Sequence, residues 1–461
     1  MLRYLALVIP LALCAPLHAE SKKGIEGLWY GALKVGALEL RMGFKIETKD
    51  GKLVASLDSV DQGARSIPAE SAEFADGQLT IKMPKLKATY SGKLQADGDS
   101  IVGELDQGEK MKLDLKRTDK APAGSRPQDP KKPYPYDEEL LTFDSKAKDV
   151  KLAGTFTKPK GEGPFPAVVL ISGSGPQDRN EELLGHKPFL VLADHLTRKG
   201  IAVLRYDDRG VGKSTGKFDT ATSKDFAEDA AGAVAFLKTR KEVGKIGLMG
   251  HSEGGLIAPM VAVENSDVAF IVLLAGPGLP GDEIIVAQSA LIAKAMGMSE
   301  KDLVRQKAAL AKLIPLAKEG ADAEKFKAAL KELEKDLNAE EKKELEKDRK
   351  TAEAQLMMFA SPWFRFFLSH DPRPTLGKVK CPVLAINGEL DLQVPCKENL
   401  AAVESALKSH GNKDVTVKEF PGLNHLFQET KTGLPSEYGK IDETFSPKAL
   451  NVISEWILKR K

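Results

Sequence analysis

The chain has 461 residues, too many for one ordinary hydrophobic core, so at least two domains are expected. With 42% apolar and 29% charged residues it has the composition of a globular protein, which excludes a disordered or fibrous chain. Its formal net charge of +2 gives no reason to expect nucleic acid or another polyanion as a partner.

At the start, Arg3 precedes the apolar run Tyr4-Leu-Ala-Leu-Val-Ile-Pro-Leu-Ala-Leu-Cys-Ala-Pro-Leu-His-Ala, which gives way to polar sequence at Glu20. This reads as a secretory signal peptide over 1–19, cleaved near Ala19, and predicts a secreted or periplasmic protein. The run is too short to span a bilayer comfortably, so no stable membrane insertion is expected after cleavage. Bulky Leu13 stands where a lipid-attachment site at Cys14 would want a small residue. The remaining cysteines, Cys381 and Cys396, are expected to stay unpaired. A strand separates them, and a disulfide needs Cα atoms within about 7 Å.

Residues 24–117 predict a small antiparallel β domain. Leu38, Leu40, Met42, Phe44 and Ile46 alternate, as do Leu79, Ile81 and Met83, then Ile101, Gly103 and Leu105, then Met111, Leu113 and Leu115. Period two marks half-buried strands, about six of them here. Asp50-Gly51, Asp76-Gly77 and Asp97-Gly98 are hairpin signals between them. Residues 118–136 are rich in proline and predict a semi-stiff extended linker.

From 137 to 461 the pattern changes to apolar runs of strand length alternating with helical stretches. The runs begin at Pro166, Ile201, Lys245, Val268, Pro382 and Val415, with helices such as 186–199 and 223–240 between them. That rhythm predicts an α/β fold with a mostly parallel sheet covered on both faces. Residues 282–370 interrupt it with Ala/Leu/Lys/Glu stretches at helical spacing. They predict a helical insertion, read as a lid, because insertions on such sheets lie where loops build the site.

Gly250-His251-Ser252-Glu253-Gly254 matches Gly-x-Ser-x-Gly, between a predicted strand and a predicted helix. That setting is the nucleophile elbow, in which a tight turn holds the serine at the strand's carboxyl end. A serine hydroxyl needs a base, commonly a histidine oriented by a carboxylate. The elbow's chain order is serine, acid, histidine. Of the histidines after Ser252, His370 precedes the next core strand and His410 sits in the polar tail of a helix. His425, in the loop after the last core strand, is the predicted base. Glu389 and Asp391 both follow the preceding strand. Glu389 is too close to the strand end, so Asp391 is the predicted acid. Backbone amides of Glu253 and Ser174 are the predicted oxyanion donors. The acidic Glu253 side chain beside the nucleophile is expected to disfavour anionic acyl groups.

Several other features carry weaker chemistry. Asp207-Asp-Arg-Gly-Val-Gly-Lys-Ser resembles a phosphate loop but has Asp207 where its first glycine belongs. His251 is expected to pack into the fold when Ser252 points out. No metal is expected, since no Cys/His cluster has ligand spacing, and no cofactor is expected either.

The motifs Ser172-Gly-Ser-Gly-Pro-Gln-Asp-Arg-Asn, Tyr206-Asp-Asp-Arg-Gly-Val-Gly-Lys-Ser, Gly250-His-Ser-Glu-Gly-Gly, Gly388-Glu-Leu-Asp-Leu-Gln-Val-Pro and Gly422-Leu-Asn-His span about 137–461. In order and spacing they resemble the α/β-hydrolase superfamily, and within it secreted bacterial serine esterases near the prolyl-oligopeptidase-like branch. The N-terminal β domain resembles one found ahead of such esterases. The resemblance implies a Ser252–Asp391–His425 triad and hydrolysis of small-molecule carboxylic esters. It departs at Ser172, where families with a His-Gly oxyanion motif carry histidine, which weakens the choice of the Ser174 amide. A serine peptidase of the same fold is the alternative, less favoured because no amine-binding glutamate pair stands out. A non-catalytic binding protein on a hydrolase fold is the alternative of another class.

Overall fold

The computed structural model describes residues 24–35, 38–60, 64–122, 126–335, 337–338, 342, 349 and 358–460. The signal segment 1–19 lies outside them. Contacts divide the chain into two compact units, and along the chain the division falls between Pro127 and Gln128.

The first unit is a ten-stranded antiparallel sheet in the order β4-β3-β2-β1-β10-β8-β7-β6-β5, with β9 (Lys110–Lys112) paired to β8 (Ser100–Asp106). The alternation does what it predicts. Met42, Phe44 and Ile46 on β2 (Leu38–Lys49), and Leu79, Ile81 and Met83 on β6 (Gln78–Met83), enter one core with Trp29 and Tyr90. Asp50-Gly51 and Asp76-Gly77 form two-residue turns with positive φ at both positions, the geometry that suits the twist of paired strands. The strand number exceeds the expected six. β4 (Ala64–Pro68), β5 (Ser71–Ala75), β9 and β10 (Leu115–Thr118) are three to five residues long. β4 and β5 carry too few repeats for a period of two to register, and the single run expected through Met111, Leu113 and Leu115 is divided between β9 and β10.

The second unit holds an eight-stranded sheet in the order β11-β12-β14-β13-β15-β16-β17-β18. β13 (Phe165–Ile171), β14 (Ala202–Tyr206), β15 (Val243–His251), β16 (Val268–Leu274), β17 (Val383–Gly388) and β18 (Val415–Phe420) are the six predicted runs, and they pair in parallel. β11 (Asp137–Asp144) and β12 (Lys151–Lys158) add antiparallel strands at one edge. Neither shows a long apolar run: β11 is mostly exposed, and β12 buries Thr155 and Thr157 among its apolar residues. Two apolar clusters lie on the sheet's two faces, as a covered parallel sheet requires.

The segment from Gln128 is no free linker. The Gln128 side chain accepts from the amides of Thr444 and Phe445 and donates to the Phe445 carbonyl. Tyr136 is buried and donates to Asp194 at 2.9 Å. Between β16 and β17 run the helices Gly281–Ala295, Glu300–Glu319, Ala323–Glu334 and Pro362–Ser369, with their own apolar cluster around Phe326 and Phe364. The helix expected at 186–199 begins at Pro188, whose fixed φ suits a first helical position. Among the described residues no helix is long and apolar enough to cross a membrane.

Candidate active site

Ser252 sits between β15 and the helix Glu253–Glu264 with φ 52° and ψ −116°, a backbone conformation that a non-glycine residue rarely adopts. Such strain costs on the order of 1–3 kcal/mol and persists only where surrounding structure enforces it. Here the Ser252 amide donates to the Leu274 carbonyl at 2.8 Å. The flanking glycines are required by close approach. A Cβ on Gly250 would lie 1.9 Å from the Gly254 carbonyl oxygen, and one on Gly254 would lie 2.1 Å from that of Ile171. The turn therefore pushes Ser252 out at the sheet's carboxyl edge.

Asp391 and His425 come together from the loops after β17 and β18. His425 Nδ1 lies 2.8 Å from Asp391 Oδ2. Oδ1 of Asp391 accepts from the amides of Gln393 at 2.8 Å and Val394 at 2.9 Å. A carboxylate so placed assigns the imidazole proton to Nδ1 and leaves the Nε2 lone pair free. The His425 loop is stiffened by Asn424, whose side-chain oxygen accepts from the amides of Leu426 and Gln428. Glu389 points elsewhere, accepting from the Gly422 amide. His410 bonds the Ala406 carbonyl of its own helix, and His370 stacks on Phe366.

Ser252 and His425 line one cavity of about 30 Å³ with Gly173, Ser174, Gln177 and Gln393. No hydrogen bond joins Ser252 Oγ to the imidazole among the described residues, an arrangement common before substrate arrives. Glu253 opens its helix, so its amide has no carbonyl partner in the helical ladder. Gly173 packs on the elbow: a Cβ there would stand 3.3 Å from Ser252 Cβ.

The loop carrying Ser174 is held from below by residues that sequence reasoning passed over. Ser172 Oγ donates to Asp208 at 2.8 Å, and the Gln177 amide donates to the same carboxyl at 3.0 Å. Burial keeps the Asp208 carboxyl well above its ordinary pKa, against the pull of those bonds. Arg179 grips Asp207 with its amide, Nε and Nη2. The segment that resembled a phosphate loop is thus a turn folded around its own Asp207 carboxylate, with a Cβ on Gly212 only 2.6 Å from it. The doublet after β14 was the available signal, since carboxylates at a strand's carboxyl end face the rim. Glu181 had no signal. It accepts from the Gly173 amide at 2.7 Å and faces His251 Nδ1 at 2.9 Å.

One expectation is corrected. The Glu253 side chain does not face the nucleophile's cavity. It is buried on the other side, where it accepts from Ser223 Oγ at 2.6 Å and Trp363 Nε1 at 2.7 Å. Burial raises its carboxyl to about 7, and the two bonds lower it only in part. The turn at Ser252 and the helix that starts at Glu253 send the two side chains in different directions. Glu253 therefore exerts no selection on acyl groups by direct contact. Among the described residues no cluster of His, Cys, Asp and Glu could hold a metal, and Cys381 and Cys396 are free thiols.

With the elbow and its loops defined, comparison places the chain among known proteins. The profile of the serine aminopeptidase S33 family of hydrolases matches residues 187–431, just over half of the chain. The chain belongs to this family. The matched region holds the elbow, the insertion and the loops of Asp391 and His425. Esterase EstD of Thermotoga maritima is 29% identical over 334 residues, covering 71% of this chain and 69% of that protein. Among solved structures, the Pyrococcus furiosus esterase Pf2001 shares 18% identity at a TM-score of 0.44, over 70% of this chain and 91% of that one. A dienelactone hydrolase from Anabaena variabilis shares 17% at 0.39, over 71% and 99%.

Proposed function

We propose that this hydrolase cleaves small-molecule carboxylic esters through an acyl-enzyme on Ser252. His425 Nε2 takes the serine proton as Oγ attacks the carbonyl carbon. Asp391 holds the tautomer and stabilises the imidazolium. The amides of Glu253 and Ser174 receive the oxyanion, where one such donor contributes about 3 kcal/mol. The imidazolium returns its proton to the leaving alcohol, and water then releases the acid by the same steps reversed in role. The observation that carries the reading is the Asp391–His425 bond beside a strained serine on one shared cavity. The esterase relative supports the substrate class.

The family's description favours a second reading, an aminopeptidase. Such an enzyme needs a carboxylate free to hold the substrate's ammonium group. The one carboxylate among the described lining residues, Glu181, is committed to Gly173 and His251. Ester cleavage is therefore the better fit.

Ser252→Ala should lower turnover of a short p-nitrophenyl ester by roughly five to six orders of magnitude while the circular dichroism stays native. A fluorophosphonate should label Ser252 and nothing else. An unchanged rate, or label on another residue, overturns the reading. Faster cleavage of aminoacyl p-nitroanilides than of esters would favour the peptidase. The reading includes a lid role for the helices between β16 and β17, since an insertion after a strand's carboxyl end lies where loops build the site. It also includes export, on the residues of 1–19. N-terminal sequencing that begins at Glu20 after expression in a secreting host supports export, and retention of Met1 overturns it.

A further inference from the structure

His251 has an acceptor on each ring nitrogen. Nδ1 faces Glu181 Oε1 at 2.9 Å, and Nε2 faces the main-chain oxygen of His425 at 3.0 Å. A neutral imidazole carries one N–H and can satisfy only one of these partners. The same Glu181 oxygen also accepts from the Gly173 amide at 2.7 Å. Glu181 and His251 are both buried, with 5% and 6% of their surfaces exposed, so neither exchanges these partners for water. One short chain of bonds thus links the loop after β13, the last residue of β15 and the loop after β18. Ser252 directly follows that last residue of β15.

We propose that Glu181 and a doubly protonated His251 form a charged brace that positions the His425 loop and the Gly173 loop around Ser252. The inference rests on the assignment of Ser252 and His425 to the chemistry. Neither Glu181 nor His251 is given a chemical step, so both are positioning residues. The groups facing His251 are the Glu181 carboxylate, the Asp391 carboxylate and the His425 ring, whose centroid lies 4.8 Å from its own. Burial by itself would lower the His251 pKa. The charge and hydrogen bond of Glu181 outweigh burial, with help from the His425 carbonyl and Asp391, and raise it above the ordinary value.

Glu181→Gln keeps the shape and the acceptor for Gly173 but removes the counter-charge, so His251 becomes neutral. A neutral His251 then donates one hydrogen bond where the protonated ring donates two. With the loops less firmly set, kcat should fall by about tenfold to a hundredfold while KM changes little. Glu181→Asp, which retains the charge, should recover part of the loss.

Two measurements decide the matter. The first is the pH profile of p-nitrophenyl acetate hydrolysis for wild type, Glu181→Gln and Glu181→Asp, each shown folded by thermal melting. Profiles that coincide, with kcat within about twofold, overturn the brace. The second needs no variant, and so survives a failure of either one to fold. It is NMR of wild-type protein with nitrogen-15-labelled histidine at about pH 8. Two N–H protons on His251 support the brace, and one alone overturns it. Fluorophosphonate labelling of the same sample separates the two claims. Wild type that is unlabelled at Ser252 defeats the proposed function, whereas labelled wild type with a singly protonated His251 defeats only the brace.

Discussion

Ser252 and Glu253 are neighbours in sequence and belong to different compartments. On the Ser252 side, the Asp391 carboxylate accepts from two main-chain amides and from His425. On the Glu253 side, a carboxyl equally removed from water accepts only from a serine hydroxyl and an indole N–H, and burial raises it to about 7. Burial alone does not decide whether a carboxylate stays ionised. The number and charge of its donors do. The Asp391 carboxylate has three donors and the Glu253 carboxyl two, and the second compartment tolerates charge poorly near neutral pH.

That contrast can be broken from either side. The largest effect is expected on the Asp391 side. Asp391→Asn keeps the size but lets the imidazole take the wrong tautomer, and kcat should fall roughly ten-thousandfold in esterase assays with little change in melting temperature. Loss of less than about tenfold would mean that Asp391 does not set the tautomer.

On the other side the effect is on stability. The Glu253 pKa in the fold is raised from 4.5 to about 7, so its stabilising contribution is complete below the unfolded value and is lost as pH rises through the folded one. Glu253→Gln stays neutral throughout and keeps an oxygen for both donors. Its stability relative to wild type should therefore improve by about 2 kcal/mol between pH 5 and pH 8, read from paired urea titrations. Parallel curves across that range would show that Glu253 is not held neutral. The smallest effect belongs to Trp363→Phe, which keeps the stacking on Phe367 but removes one donor. It should destabilise the protein by about 1 kcal/mol, and more at pH 8 than at pH 5, where the carboxyl needs the donor least.

Much of the architecture could be read without coordinates, for reasons tied to particular residues. The alternation of Met42, Phe44 and Ile46 marks a half-buried strand because successive side chains point to opposite faces. The apolar runs of β13 to β17 mark strands buried on both faces, whereas β18 at the sheet's other edge is only half-buried. β11 and β12 escaped notice because an edge strand and a strand with buried threonines lack either pattern. In the candidate site, Ser252 was visible through its glycines, and Asp391 and His425 through their places after successive strands. Asp208, Glu181 and the two partners of His251 were not. Hydrophobic periodicity carries no trace of an ion pair.

The local chemistry of the chain is determined by sequence alone: where backbone can turn as tightly as at Gly250 and Gly254, which segments must bury an apolar face, and where a hydroxyl, a carboxyl and an imidazole are offered at strand ends. The electrical state of those groups was decided by tertiary structure. His251 meets Glu181 across 70 residues and the His425 carbonyl across 174, and Glu253 meets Trp363 across 110. Proton affinity depends on neighbours in space and on exclusion of water. Neither exists until the loops have closed around the serine.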